Sequence, residues 1–268
     1  MGIDRIRGVF ERDRAAGRGT LMPFLVGGYP TAGTTGGLVR AAARSGAGIV
    51  EIGMPFSDPV ADGPVVASAM HEALGAGASP DGVLDEIAAV RSELEIGLVS
   101  MVSGSIVHRA GGPEAYVSRA VAAGIDGFLF PDVPIEESGP YVEASASHGA
   151  SCSLLIAPTT PDARAAAIAE VCTGFVYVLA RSGITGERSD APAIGARVAM
   201  LRGATDLPLA VGFGISTSAH VEAVVRHADA AIVGSALVRR QGEADGDAEA
   251  VTERFVAELA GGLRAAPG

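Results

Sequence analysis

The chain has 268 residues, a hydrophobic fraction of 48% and a formal net charge of −11. That length suits one large α/β domain with a full core, and no apolar run approaches the roughly 18 residues of a membrane span. The acidic balance and an aromatic content of 4% exclude a basic nucleic-acid-binding surface and an aromatic stacking platform. An anionic ligand must therefore be held locally, by backbone N–H groups and not by a broad positive field.

The first twenty residues, "MGIDRIRGVFERDRAAGRGT", are charged throughout, with Ile3, Ile6, Val9 and Phe10 at helical spacing. They predict an amphipathic helix and no signal peptide. Eight short runs rich in aliphatic and β-branched residues follow, at 21–28, 48–53, 96–102, 126–130, 151–157, 174–180, 207–214 and 230–236. Most are apolar throughout instead of alternating, as expected of parallel strands covered on both faces. Between them lie Ala-rich stretches with helical periodicity, such as "GGLVRAAARSGA" and "GPEAYVSRAVAAGI". Eight β–α units in this length predict a (β/α)₈ TIM barrel with an extra N-terminal helix, spanning 1–268 as one domain. An open doubly wound sheet is the alternative. "VRRQGEADGDAEAVTERF" reads as a polar turn before a final helix. Cys152 and Cys172 have no metal-ligand spacing and suggest nothing extracellular, so the cytoplasm is the expected compartment. His71, His108, His148, His220 and His227 fall in predicted helices or peripheral loops and read as surface residues.

The segment "EIGMPFSDPVADGP" (51–64) carries the densest chemistry. Glu51 ends the second apolar run, and Asp58 and Asp62 follow in a proline-stiffened loop. In a barrel of this kind the βα loops build the active site, which puts these acids on the catalytic face. A carboxylate near the end of an apolar strand is partly desolvated, which raises its pKa and suits general acid–base work. Simpler readings stand beside this one: Asp62 as the cap of the helix beginning near Pro64, and Asp58 as a turn residue before Pro59. "VGFG" (211–214) and "VGSA" (233–236) close the last two strands. Gly212, Gly214, Gly234 and Ser235 there suit a phosphate group, which such barrels hold in their final two loops. "ARSGITGERSD" (180–190), after the sixth strand, has the composition of a lid.

On these residues the chain resembles the tryptophan synthase alpha subunit family over roughly residues 20–240, with "PDVPIEES", "YVLARSGITG", "VGFGIS" and "IVGSALV" in order beside the acid-rich motif. The resemblance implies a lyase of tryptophan biosynthesis that cleaves indole-3-glycerol phosphate to indole and glyceraldehyde 3-phosphate by a retro-aldol reaction, without cofactor or metal. It assigns Glu51 as the proton donor to the indole ring carbon and the acceptor of the side-chain hydroxyl proton. It assigns Asp62 to the indole N–H and Thr185 and Tyr177 to supporting roles. Gly186, Gly214, Gly234 and Ser235 match the phosphate cradle, and Phe24, Leu129 and Phe213 the indole pocket, although core packing alone would also explain Phe24 and Leu129. Asp58 and Pro59 match positions that couple to a beta subunit.

The third βα loop departs from the family pattern: "MVSGSIVHRAGG" (101–112) has neither the tyrosines nor the asparagine usual there. Phe175 stands where a tyrosine is common, removing a hydroxyl from the neighbourhood of Glu51. A beta-associated alpha chain, a stand-alone indole-releasing lyase and a non-catalytic phosphate-binding regulatory subunit therefore stay open, as does a ring-substituted indole substrate. Intact Glu51 and Asp62 speak against the regulatory reading.

Overall fold

The computed structural model describes residues 2–59, 62–180, 194–212 and 214–263. Its strands are β1 (Thr20–Val26), β2 (Ile49–Gly53), β3 (Gly97–Met101), β4 (Gly127–Leu129), β5 (Ser151–Ser153), β6 (Leu155–Ile156), β7 (Val176–Leu179), β8 (Leu209–Gly212) and β9 (Ala230–Val233). All pair in parallel, in the order β5-β4-β3-β2-β1-β9-β8-β7-β6. The two ends of this row, β5 and β6, are separated in sequence only by Leu154, whose N–H points to Cys172 Sγ at 3.3 Å. The nine segments are thus eight barrel staves, the fifth interrupted by one residue. Every predicted run coincides with a strand, β1 starting one residue before its run, at Thr20.

The helices are α1 (Gly2–Ala15), α2 (Thr35–Arg44), α3 (Pro64–Gly75), α4 (Pro80–Val90), α5 (Gly104–Arg109), α6 (Pro113–Ala122), α7 (Gly139–Ser147), α8 (Asp162–Val171), α9 (Gly195–Arg202), α10 (Ser218–Val225), α11 (Ser235–Gly242) and α12 (Ala248–Ala260). Local chemistry starts several of them. Pro64, Pro80 and Pro113 occupy first-turn positions, where a missing N–H costs nothing. Ser79, Thr217 and Asp247 accept N–H bonds as side-chain caps. Among the described residues no helix is long and apolar enough to cross a membrane.

Helix α1 closes the N-terminal end of the barrel. Ile6, Val9 and Phe10 join the inward-facing Met22, Ile49, Val99 and Phe175 in one buried cluster. Small residues make room for it: a Cβ at Gly97 would lie 2.6 Å from Ile6, and one at Gly48 would lie 2.9 Å from Val9. Arg5 pairs with the buried Asp126 at 2.6 Å and ties the helix to the base of β4.

Three expectations need correction. The polar turn before the final helix is present but shorter than expected: α11 runs through Gly242, and only five residues separate it from α12. Residues 104–109 of the divergent third loop form a helix, since Ser103 caps it by accepting the Ser105 N–H. His220 is buried, not at the surface, because the first turn of α10 faces back onto its own loop and Nδ1 accepts the Ser216 N–H at 3.4 Å. His71 and His108 are exposed as expected.

Candidate active site

Glu51 is the middle residue of β2, one inward-facing position deeper than Gly53 at the strand end. It is fully buried, and neither carboxylate oxygen has a hydrogen-bond partner among the described residues. Burial, and then the charge of Asp62, push its pKa up to about 8. A buried carboxyl without partners keeps its proton at neutral pH. Asp62 is half-buried, and desolvation raises its pKa to about 6. It is not the cap of α3, a place taken by Gly63, and its N–H donates to the Pro59 carbonyl at 3.0 Å. The capping explanation of this aspartate therefore fails. At pH 7 the two carboxyls hold different protonation states, one acid and one carboxylate.

Tyr177, on β7, is buried, and its pKa is raised well above the usual value by burial and by the charges of Glu51 and Asp62. These three groups share one electrostatic neighbourhood inside the barrel mouth. Gly212 on β8 leaves room for the phenol, since a Cβ there would stand 3.0 Å from Tyr177 Oη. Phe175, two residues earlier on the same run, belongs to the floor, with its ring centroid 6.1 Å from that of Phe10. Its missing hydroxyl is therefore a feature of the base of the barrel.

Phe24 pairs in register with Glu51 across β1 and β2. Its ring covers Gly53, where a Cβ would lie 2.6 Å from Cζ, and it lies 3.6 Å from the Cβ position at Gly234. Phe24 thus spans from Gly53, at the end of the acid-bearing strand, to the glycine end of β9. Leu129 is fully buried at the end of β4 within the inward cluster. The half-buried Met101, Leu155 and Leu179 pack against the same cluster and escaped the sequence reading. Alternation would have found Met101 and Leu179, two residues beyond the inward-facing Val99 and Tyr177. Runs that are apolar on both faces conceal that alternation.

Beyond β8, Gly214 adopts a left-handed φ of 77°. Beyond β9, Gly234 precedes α11 with no side chain capping the helix, and its carbonyl accepts from Leu237 and Val238 at 2.8 and 3.1 Å. The N–H groups of buried Ser235 and Ala236, the first two of the helix, have no intrahelical acceptor and carry the positive end of the helix dipole. This is an anion-binding geometry beside Phe24. Thr185, Gly186 and Phe213 lie outside the described residues, as does most of the expected lid.

On the rim, Asp58 is exposed and accepts from Ser57 Oγ at 2.7 Å. A small cleft runs from Asp62 past Pro59 and Met101 to Ser103 and Asp132. Asp132 clasps the start of α5, accepting from Ser103 Oγ at 2.5 Å and from the Gly104 N–H at 2.9 Å. Among the described residues no group of three or more His, Cys, Asp or Glu side chains is placed to hold a metal ion.

A family model described as the tryptophan synthase alpha chain matches residues 10–266. The chain is 40% identical over 267 residues to the tryptophan synthase alpha chain of Rhizorhabdus wittichii, covering 98% of each. It is likewise 40% identical over 242 residues to that of Halorhodospira halophila, covering 90% of this chain and 89% of the relative. Among solved structures, tryptophan synthase from Mycobacterium tuberculosis in its aminoacrylate-bound form superposes with a TM-score of 0.87 at 31% identity, covering 97% of this chain and 99% of that one. With the strand-borne acid, the adjoining aspartate and the anion-binding helix start on one barrel mouth, these similarities establish that the chain belongs to the tryptophan synthase alpha chain family.

Proposed function

We infer that the chain cleaves indole-3-glycerol phosphate to indole and glyceraldehyde 3-phosphate, with Glu51 as acid and base and Asp62 as the partner of the ring N–H. The observation that carries this reading is the buried, unpartnered Glu51 carboxyl with a pKa near 8 beside an aspartate near 6. At neutral pH, protonated Glu51 donates to the ring carbon that bears the side chain, and the ring nitrogen becomes cationic. Ionised Asp62 accepts the ring N–H and stabilises that charge. The hydroxyl on the adjacent side-chain carbon then gives its proton back to Glu51. The carbon–carbon bond breaks, its electron pair returns to the ring and neutralises the nitrogen, and an aldehyde is left. Proton transfer of this kind contributes about 10²–10⁴-fold.

The phosphate sits on the N–H groups at the start of α11, with Gly214 and Gly234 allowing close approach. Thr185 and Gly186 complete the lid side, Tyr177 keeps the Glu51 pocket dry, and Phe24, Leu129 and Phe213 pack against the ring.

A beta subunit docks at the rim formed by Asp58, Pro59 and the α5 clasp. The second reading, a lyase that releases indole without a beta chain, is favoured by the altered 101–112 segment alone. Indole release by the purified chain, with Glu51→Gln as control, tests the assignment. Turnover abolished in the variant supports it; near-normal turnover overturns it. A rate in the ordinary enzyme range of roughly 1–10³ per second without any partner selects the second reading.

A further inference from the structure

The end of the barrel opposite Glu51 carries two arginine-lined clefts. One, of about 240 Å³, lies between the end of α1 and the turn before β9 and is lined by Arg14, Arg18, Arg202, Arg226 and Asp229. The other, of about 520 Å³, lies between the ends of α1 and α2 and contains Arg12, Arg18, Arg40, Arg44, Glu93 and Glu95. Their charge balances differ. In the larger cleft four guanidiniums face Glu93 and Glu95 together with the ion partners Asp13 and Glu253. That cleft is neutral among the described residues.

In the smaller cleft one carboxylate is shared. Asp229 takes Arg14 on Oδ1 at 3.2 Å and Arg202 on Oδ2, and Oδ2 also accepts the Leu209 N–H at 2.8 Å. Arg18 pairs with Asp13 at 2.8 Å, a pair already counted in the larger cleft. Arg226 pairs with Glu222. Asp229 can neutralise only one of its two guanidiniums. A local surplus of positive charge therefore collects on a protein whose net charge is −11. Asp229 is held by the Leu209 N–H, so the surplus is fixed in place. Gly17 and Gly19 line the same cleft and leave the backbone approachable.

We propose that this cleft binds the phosphate group of a small phosphorylated metabolite, with Arg14 and Arg202 as its principal ligands. Guanidinium forks match phosphate oxygens bidentately, and the half-exposed side chains of Arg14 and Arg202 can turn toward the cleft while keeping contact with Asp229. The site is remote from the α11 cradle and independent of the lyase assignment.

Inorganic phosphate titrated calorimetrically into the full chain provides the test, with Gly234→Asp introduced to silence the cradle. Binding persists in Gly234→Asp, weakens about tenfold in Arg14→Gln or Arg202→Gln, and tightens in Asp229→Asn, which keeps an acceptor for Leu209 and removes the opposing charge. If Gly234→Asp fails to fold by circular dichroism, the same result is read in the otherwise unaltered chain as two classes of site, one of them lost in Arg14→Gln. Loss of all phosphate binding in folded Gly234→Asp overturns the proposal. So does an unchanged Kd in both arginine variants, or a single class of site that Arg14→Gln leaves intact.

Discussion

The charge of Asp62 reaches the buried carboxyl of Glu51 and, after burial itself, is the second cause of its pKa of about 8. Asp62 titrates near 6, so between the two values one carboxyl is an acid and the other a carboxylate. The barrel has made unlike groups from two similar side chains, one by complete burial on a strand and the other by partial burial in a loop.

That relationship sets the pH dependence of catalysis. The proposed mechanism requires ionised Asp62 and protonated Glu51, so kcat/KM is expected to be bell-shaped, falling below about pH 6 and above about pH 8. Because the groups interact, the limbs belong to the pair. Replacing Asp62 by Asn removes a charge that raises the Glu51 pKa, so the alkaline limb of the residual activity shifts downward. An alkaline limb that stays in place means the two groups do not communicate.

Glu51 also destabilises the fold at alkaline pH. Its folded pKa of about 8 exceeds the unfolded value of 4.5, so the folded state holds the proton more tightly. Its favourable contribution is complete below pH 4.5 and is lost as pH rises through 8. Glu51→Gln has no proton to lose. The variant is expected to be inactive and, at pH 9, more stable than the parent by a few kcal/mol, with the difference vanishing at pH 4. Thermal unfolding across pH reads this directly, and equal curves at pH 9 contradict the assigned burial.

Gly212 keeps the Tyr177 phenol in place, since a Cβ there would stand 3.0 Å from Oη. Gly212→Ala is expected to fold and to lose roughly ten- to a hundredfold in kcat/KM through displacement of the ring. In a Tyr177→Phe background the same substitution costs little more. Equal losses in the two backgrounds would place the effect elsewhere.

Phe10 anchors the barrel floor and is 4% exposed. Phe10→Ala removes its packing on Phe175 and is expected to cost about 3–5 kcal/mol in urea unfolding. The floor lies far below the mouth, so indole release in the absence of denaturant persists. Loss of catalysis in a still-folded variant would show that α1 supports the site directly.

The Asp132 clasp offers a handle on the partner. Asp132→Ala removes the acceptor of both Ser103 Oγ and the Gly104 N–H. We expect a stability loss of about 1 kcal/mol and a weaker rate response to an added beta chain. A full response in the variant would move the docking rim away from α5.

Most of the strand and helix inventory was legible from the sequence because buried parallel strands read as short apolar runs and the helices between them keep their own period. The start of α5 was hidden for a local reason: "MVSGSIV" looks like a loop until Ser103 is seen capping it and Asp132, 29 residues on, accepting its hydroxyl proton. The depth of Glu51 and the inward positions of Met101 and Leu179 were also hidden. A run apolar on both faces does not say which residues point into the barrel.

The sequence by itself determined the alternation of strands and helices, the amphipathic first helix, the acid-rich loop after β2 and the glycine-bearing ends of β8 and β9. These are properties of neighbours along the chain, set by periodicity and turn chemistry. Tertiary structure alone decided that Glu51 is buried without a partner among the described residues, that Phe24 spans from Gly53 to Gly234, and that Asp229 and Asp13 are each shared by two arginines. Those relationships join residues up to about two hundred positions apart, and a pKa or a charge surplus depends on the solvent and partners that only closure of the barrel assigns to each group.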